Sequence, residues 1–257
     1  VQISHGIIYY NRDTGVVTLA HLSIRSCLTS EWILSSPISD FAVSETIAHK
    51  TILRTCLTYL LFDEFSIGYG AKAAQQLYRP TKYQLMPYVI HQWSFHLRYL
   101  DESDVALLLR FLDTRTNENS GNYGHWLLRV LWTQIPPDVV QDTHPLYYAA
   151  SLGLTSLTKA ILKFDPTGLA NINCPGGRRG SFPIHVAAYR GYKAVMRVLI
   201  EAGADCMAQD PGLGPGGHTN AVNWSKTHGW DDLVALIEQM HPGLTSSDPV
   251  YNGMGWY

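Results

Sequence analysis

Apolar residues recur at helical spacing in paired short stretches through the second half of the chain. Pro145-Leu146-Tyr147-Tyr148-Ala149-Ala150 is followed, past Gly153, by an apolar run from Leu157 to Phe164. Pro183-Ile184-His185-Val186-Ala187-Ala188 is followed, past Gly191, by Ala194 to Ala202, and Ala221 to Lys226 is followed, past Gly229, by Leu233 to Met240. Gly191 stands 38 residues after Gly153, and Gly229 stands 38 after Gly191. The pattern predicts a unit of helix, glycine turn and second helix, repeated three times. The third copy has lost the proline and the paired alanines, as terminal copies do. Pro145 and Pro183 suit the first turn of a helix, where a missing N–H costs nothing, and Gly203 suits the left-handed cap that ends one.

Upstream, Pro87 predicts a helix start ahead of Tyr88, Val89, His91, Trp93 and Phe95. Asp101 to Asp104 can cap a helix through Leu107, Leu108, Phe111 and Leu112, and His125 to Ile135 is a third apolar run. Pro136-Pro137 then breaks the chain. Nearer the start, Gly6 to Tyr10 and Val16 to Ala20 are β-type runs separated by Asn11 to Gly15, a hairpin signal. Ser23 is expected to cap a helix from Ile24 to Leu34. Ser44 is expected to cap a longer one with Ile47, Leu53, Cys56, Leu57, Leu60 and Leu61 mostly on one face.

The middle unit carries a resemblance. Phe182-Pro183-Ile184-His185-Val186-Ala187, with the ending Leu199 to Asp205, resembles the T-P-L-H-x-A and second-helix pattern of ankyrin repeats. An ankyrin unit is about 33 residues, so each unit here is about five residues longer. The surplus falls in the Gly-rich stretches Cys174 to Gly180 and Pro211 to Gly217, which lengthen the hairpin-like loops projecting from such an array. The resemblance implies an α-solenoid that binds other proteins through loop tips and through the positions just before each inter-helix glycine. Those are Arg178, Arg179 and Ser181 on the loop, and Ser151-Leu152, Tyr189-Arg190 and Thr227-His228 at the helix ends. Tyr189 and Arg190 lead this set because Tyr and Arg dominate interface hot spots. His185 is expected to tie loop to loop through its ring nitrogens.

The front half is similar in order and spacing to the segment after the nucleotide-binding module of fungal NACHT-ankyrin (STAND-type) proteins. The resemblance rests on Val17 to Leu28, then His49 with Cys56 to Leu60, then Leu85 to Tyr88 with Trp93 and His96. It implies a signalling protein whose nucleotide switch lies outside this chain, since no G-x-x-x-x-G-K-[ST] occurs in it. The expected fold class is mainly α, with a small N-terminal β-hairpin and a short ankyrin-repeat solenoid. The expected organisation is a winged-helix-like connector over 1–82, a capping helical segment over 83–140, repeats over 141–241 and a tail over 242–257.

Composition narrows the chemistry. Charged residues make up 16% of 257, and 19 Lys and Arg against 21 Asp and Glu leave a net charge of -2. Phosphate-backbone binding calls for a basic excess, so no nucleic acid is expected. No apolar stretch reaches the roughly 20 residues that span a bilayer, so no membrane is expected either. The opening at Val1, without a leader pattern, reads as a fragment or processed product. Cys27, Cys56, Cys174 and Cys206 form no C-x-x-C pair, which points to reduced thiols, a cytoplasmic location and no metal. Sparse charge and many tyrosines suggest that part of the surface is covered by a partner or a further domain. Asn223-Trp224-Ser225 reads as a chance glycosylation pattern.

Two glycine motifs imitate phosphate sites in spelling only. Gly212, Gly214 and Gly217 fit G-x-G-x-x-G by letter but sit in a repeat linker with Pro215 inside, and Gly68 to Lys72 imitates a phosphate loop poorly. His91 and His96 are five apart and read as packing or surface residues, while Trp93, Trp126 and Trp132 read as core. No cofactor and no catalytic residue is expected, and the module is read as non-enzymatic. The alternative is an enzyme with appended repeats and an active site in 1–135.

Overall fold

The computed structural model describes residues 2–4, 7–11, 17–69, 82–131, 135–211, 219–240 and 242. The chain divides into two compact units at Ile52/Leu53, inside one helix.

In the first unit, β1 (Gln2–Ser4), β2 (Ile8–Tyr10) and β3 (Val17–Leu19) form an antiparallel sheet in the order β1-β2-β3, with Tyr9 opposite Thr18. The expected Asn11–Gly15 turn lies mostly outside the described residues. The expected helix from Ile24 to Leu34 is two helices, α1 (Leu22–Leu28) and α2 (Glu31–Leu34), parted at Thr29-Ser30. Its cap is His21 rather than Ser23: the His21 ring Nδ1 accepts the Ser23 N–H at 3.1 Å. Both Thr29 and Ser30 turn their hydroxyls back onto α1 carbonyls, which competes with the helical ladder and ends it. Among the described residues of this unit only Ile33 is buried, while Leu22, Trp32, Leu34, Phe41 and Ile47 are exposed.

The helix α3 (Glu45–Leu60) is capped by Ser44, whose Oγ accepts the Ile47 N–H. Its face begins later than the pattern predicts: Ile47 is exposed, and Leu53, Cys56, Leu57 and Leu60 are buried. They belong to the second unit.

There, α4 (Met86–His96), α5 (Glu102–Leu112) and α6 (Gly121–Val130) form a helical layer. Pro87 sits in the first turn of α4, and Asp101 caps α5 by accepting the Ser103 N–H. The third apolar run starts its helix at Gly121 and ends it at Val130, short of Ile135. Trp93 lies edge-on to Trp126 at 5.5 Å and to Phe111 at 5.1 Å, and both indoles are buried. Trp132 lies outside the described residues. Asp104, buried on α5, takes the Nε of Arg54 at 2.7 Å and so ties α5 to α3.

After α7 (Pro137–Asp142) come three helix pairs. They are α8 (Pro145–Ser151) with α9 (Thr155–Phe164), α10 (Pro183–Tyr189) with α11 (Lys193–Glu201), and α12 (Ala221–Thr227) with α13 (Asp231–Met240). Each first helix closes on the same pair of bonds. Leu152, Arg190 and His228 donate N–H to Tyr148, Val186 and Trp224, and Leu154, Tyr192 and Trp230 donate to Ala149, Ala187 and Ser225 at 2.9 Å. Gly153, Gly191 and Gly229 hold positive φ at 71°, 80° and 67°, a region closed to most side chains. The degenerate third copy therefore folds as the other two do. The paired alanines Ala149-Ala150 and Ala187-Ala188 are fully buried where α8 packs on α10. Gly203 ends α11 at φ 91°.

Candidate functional site

A tight hairpin projects between the first and second pairs. Gly176 donates its N–H to the Ser181 carbonyl at 2.9 Å, and Gly177 and Gly180 take positive φ on either side of Arg178-Arg179. Gly177 also donates its N–H to Thr143 Oγ1 at 2.9 Å. The hairpin lies flat on the Tyr147 ring: a Cβ at Gly177 would fall 2.6 Å from it, and one at Gly176 2.8 Å. Only glycine allows so close an approach.

Between this hairpin and α10 lies a pocket of about 250 Å³ lined by Tyr147, Arg179, Ser181, His185, Val186, Tyr189, Arg190 and Asp210. Four of the nine contact residues singled out in the sequence meet there: Arg179, Ser181, Tyr189 and Arg190. Ser181 is a buried wall residue of the hairpin, Tyr189 is half exposed, and the two arginines are exposed. Arg178 is not among the residues that line the pocket and is exposed at the hairpin tip.

The floor is polar and neutral or acidic. His185 is fully buried, and its Nε2–H donates to the Ala208 carbonyl at 2.9 Å, which is the loop-to-loop tie that the sequence suggests. Its Nδ1 is 3.7 Å from the buried Asp210 carboxylate. Burial holds the His185 pKa below its ordinary value, against the pull of Asp210. Burial also raises the Tyr147 phenol, with Arg190 and Arg179 drawing it back down and Asp210 opposing them. Both guanidinium groups thus act on one phenol, and neither has a carboxylate partner among the described residues. What they offer is two exposed cations beside an aromatic wall, a combination suited to an acidic side chain.

Thr227 and His228 are not part of this pocket. The Thr227 hydroxyl turns back to the Asn223 carbonyl at 2.9 Å. His228 donates Nε2–H to the Ala188 carbonyl at 3.0 Å and stacks between Trp224 and Trp230, so it fastens the third pair to the second. Ser151 is buried and Leu152 half-buried, because the Tyr192 ring covers the adjacent Gly153 turn. The sequence reading missed Tyr147, Val186 and Asp210 as wall and floor residues. Tyr147 occupies the repeat position of His185, which is the signal that places it there.

The other candidates resolve into packing. His96 is buried against the Tyr88 hydroxyl at 2.9 Å, while His91 is exposed. Gly68-Tyr69 sits in a packed corner, where the Tyr69 hydroxyl accepts the Ile135 N–H at 2.9 Å and the ring is buried. The Gly212, Gly214 and Gly217 motif lies outside the described residues. His144 caps α8 by accepting the Leu146 N–H on Nδ1, and its Nε2 faces Thr167 and Asp165 at 3.1 and 3.3 Å. The thiols of Cys56 and Cys206 are pushed up to about 11 by burial, far from reactive values. Among the described residues no group of three or more His, Cys, Asp or Glu could hold a metal ion, and no helix is long and apolar enough to cross a membrane.

A family model described as "Ankyrin repeats (3 copies)" matches residues 118–210. Ankyrin repeats therefore occupy α6 through α11, beginning upstream of the first repeat recognised by period. Comparison with curated proteins finds no match. The fold is mainly α, with a small N-terminal antiparallel sheet and ankyrin repeats, an interaction fold, in the C-terminal half.

Proposed function

We propose that this chain is a non-enzymatic protein-binding module that recognises an acidic segment of a partner protein in the pocket between the Arg178-Arg179 hairpin and α10. The observation that carries the reading is the convergence of Arg179 and Arg190, both free of carboxylate partners among the described residues, with half-exposed Tyr189 over one concavity of an ankyrin array. Tyr189 packs edge-on against Trp224 at 5.6 Å, so alanine there removes internal packing as well as contact surface. The clean variants are Arg179→Ala and Arg190→Ala. In a pull-down followed by titration calorimetry, each should weaken a captured partner about tenfold or more, as hot-spot arginines do, without lowering the melting temperature. Unchanged affinity in the double variant would refute the site.

In this reading the third helix pair is the terminal repeat; 83–140, whose last part falls within the matched span, caps the first helix pair; and 1–82 is a connector. The order and spacing of the front-half residues support a place in a NACHT-type signalling protein of the cytoplasm, where occupancy of the array would bias a nucleotide switch. The exposed Leu22, Trp32, Leu34 and Phe41 support a covered role for the first unit. The proposal includes no cofactor, no nucleic-acid or membrane partner, and no active site in 1–135. Turnover of any small molecule by the purified chain would overturn that part.

A further inference from the structure

A second pocket, of about 340 Å³, lies where the short turn Leu97–Tyr99 meets α9. Three of its lining residues are cations, Arg98, Lys159 and Lys163, and two more are hydroxyls, Thr155 and Ser156; no carboxylate lines it. Among the described residues none of the three cations has a carboxylate partner. Lys159 and Lys163 are four apart on α9, the spacing at which like charges repel, and a third cation faces them from another element. Arg98 is held in place: its Cζ lies 3.6 Å from the Phe95 ring centroid, and its Nε donates to the Phe95 carbonyl at 3.2 Å. The guanidinium therefore rests against the Phe95 ring at an exposed position, and its remaining donors have no protein acceptor among the described residues. Thr155 and Ser156 stand in the first turn of α9, where no side chain caps the helix. Their hydroxyls add donors to the same concavity.

We infer that this pocket binds a small soluble anion carrying two or more phosphoryl groups. One carboxylate brings one charge and two acceptor oxygens, and would leave most of this donor set unanswered. A pyrophosphate-like group brings several charges and enough oxygens to answer three cations and the hydroxyl-bearing residues that line the pocket with them. The volume is in the range of small-molecule sites and exceeds what one phosphate fills. The pocket shares no residue with the arginine pocket by the hairpin, so its failure would leave the partner-binding reading intact.

The test is titration calorimetry of the full chain with inorganic pyrophosphate, phosphate and sulfate at fixed ionic strength, alongside sedimentation with vesicles containing a doubly phosphorylated lipid. Pyrophosphate should bind saturably, at least tenfold tighter than phosphate or sulfate. Lys159→Gln and Lys163→Gln, both at exposed positions and checked for folding by circular dichroism, should each weaken it at least fivefold, whereas Arg25→Gln, outside both pockets and paired with Glu45, should not. Equal, weak binding of all three anions, an unchanged pyrophosphate affinity in both lysine variants, or binding to vesicles without binding to pyrophosphate would each overturn the inference.

Discussion

Gly153, Gly191 and Gly229 provide a matched set of perturbations, because the three occupy one repeat position in different surroundings. Alanine at φ near +70° to +90° costs about 1–2 kcal/mol of backbone strain, offset by about 0.4–1 kcal/mol from the stiffer unfolded chain. At Gly191 and Gly229 a Cβ meets nothing within 4 Å, so each variant should lose about 1 kcal/mol. At Gly153 the same Cβ would fall 2.8 Å from the Tyr192 ring, and the ring must move. Overpacking of this kind adds about 1–3 kcal/mol, for a total near 2–4 kcal/mol. Urea unfolding followed by circular dichroism should therefore rank Gly153→Ala well below the other two, with Gly191→Ala and Gly229→Ala alike. A neutral Gly229→Ala beside a costly Gly191→Ala would mean that the third pair does not fold as a repeat, and the account of the array would fail there.

Other outcomes follow from the same contacts. Gly177→Ala should both destabilise the chain and weaken the partner, since a Cβ there strikes the Tyr147 ring that shapes the pocket; a variant with wild-type affinity would separate the hairpin from recognition. Burial holds His125, His144 and His185 below the ordinary 6.5, His125 at about 3. The unfolded chain takes up protons before the folded one does, so stability is full above about pH 6.5 and falls between pH 6.5 and 5 by up to roughly 1.4 kcal/mol per pH unit for His125, with His144 and His185 adding in the same direction. His125→Gln should flatten that slope by one proton's worth in urea midpoints measured across this window; an unchanged slope would contradict the assignment. Asp232 bridges Lys193 at 2.6 Å and Arg197 at 2.5 Å across the second and third pairs. Asp232→Asn should lower the melting temperature slightly at low salt and not at all in 1 M NaCl; a salt-independent loss would point to packing instead.

The array was legible because its signals are local. A proline, two alanines and a glycine at a constant offset are each demanded by backbone geometry within one unit, and even the third copy kept its glycine and its helix lengths. The extra residues of the first loop were legible as a hairpin for the same reason, while the second loop lies mostly outside the described residues. Less legible were features set by distant partners. His21 displaced Ser23 as a cap because an imidazole can accept an N–H as a hydroxyl does, which a preference for Ser, Thr and Asp overlooks. Tyr147 and Asp210 joined the pocket through contacts with residues more than 20 positions away, and His228 turned from a contact candidate into a tie to Ala188. Ser151 shared the repeat position of Tyr189, yet it is buried while Tyr189 is half exposed.

The central claim is that recognition runs through Arg179 and Arg190 on the ankyrin array. Its most direct test is the affinity of the full chain for a captured acidic partner, compared with that of the Arg179→Glu/Arg190→Glu double variant at equal melting temperature. The double variant should lose about 100-fold or more in affinity, with a shallower salt dependence. An affinity within twofold of the wild type would contradict it.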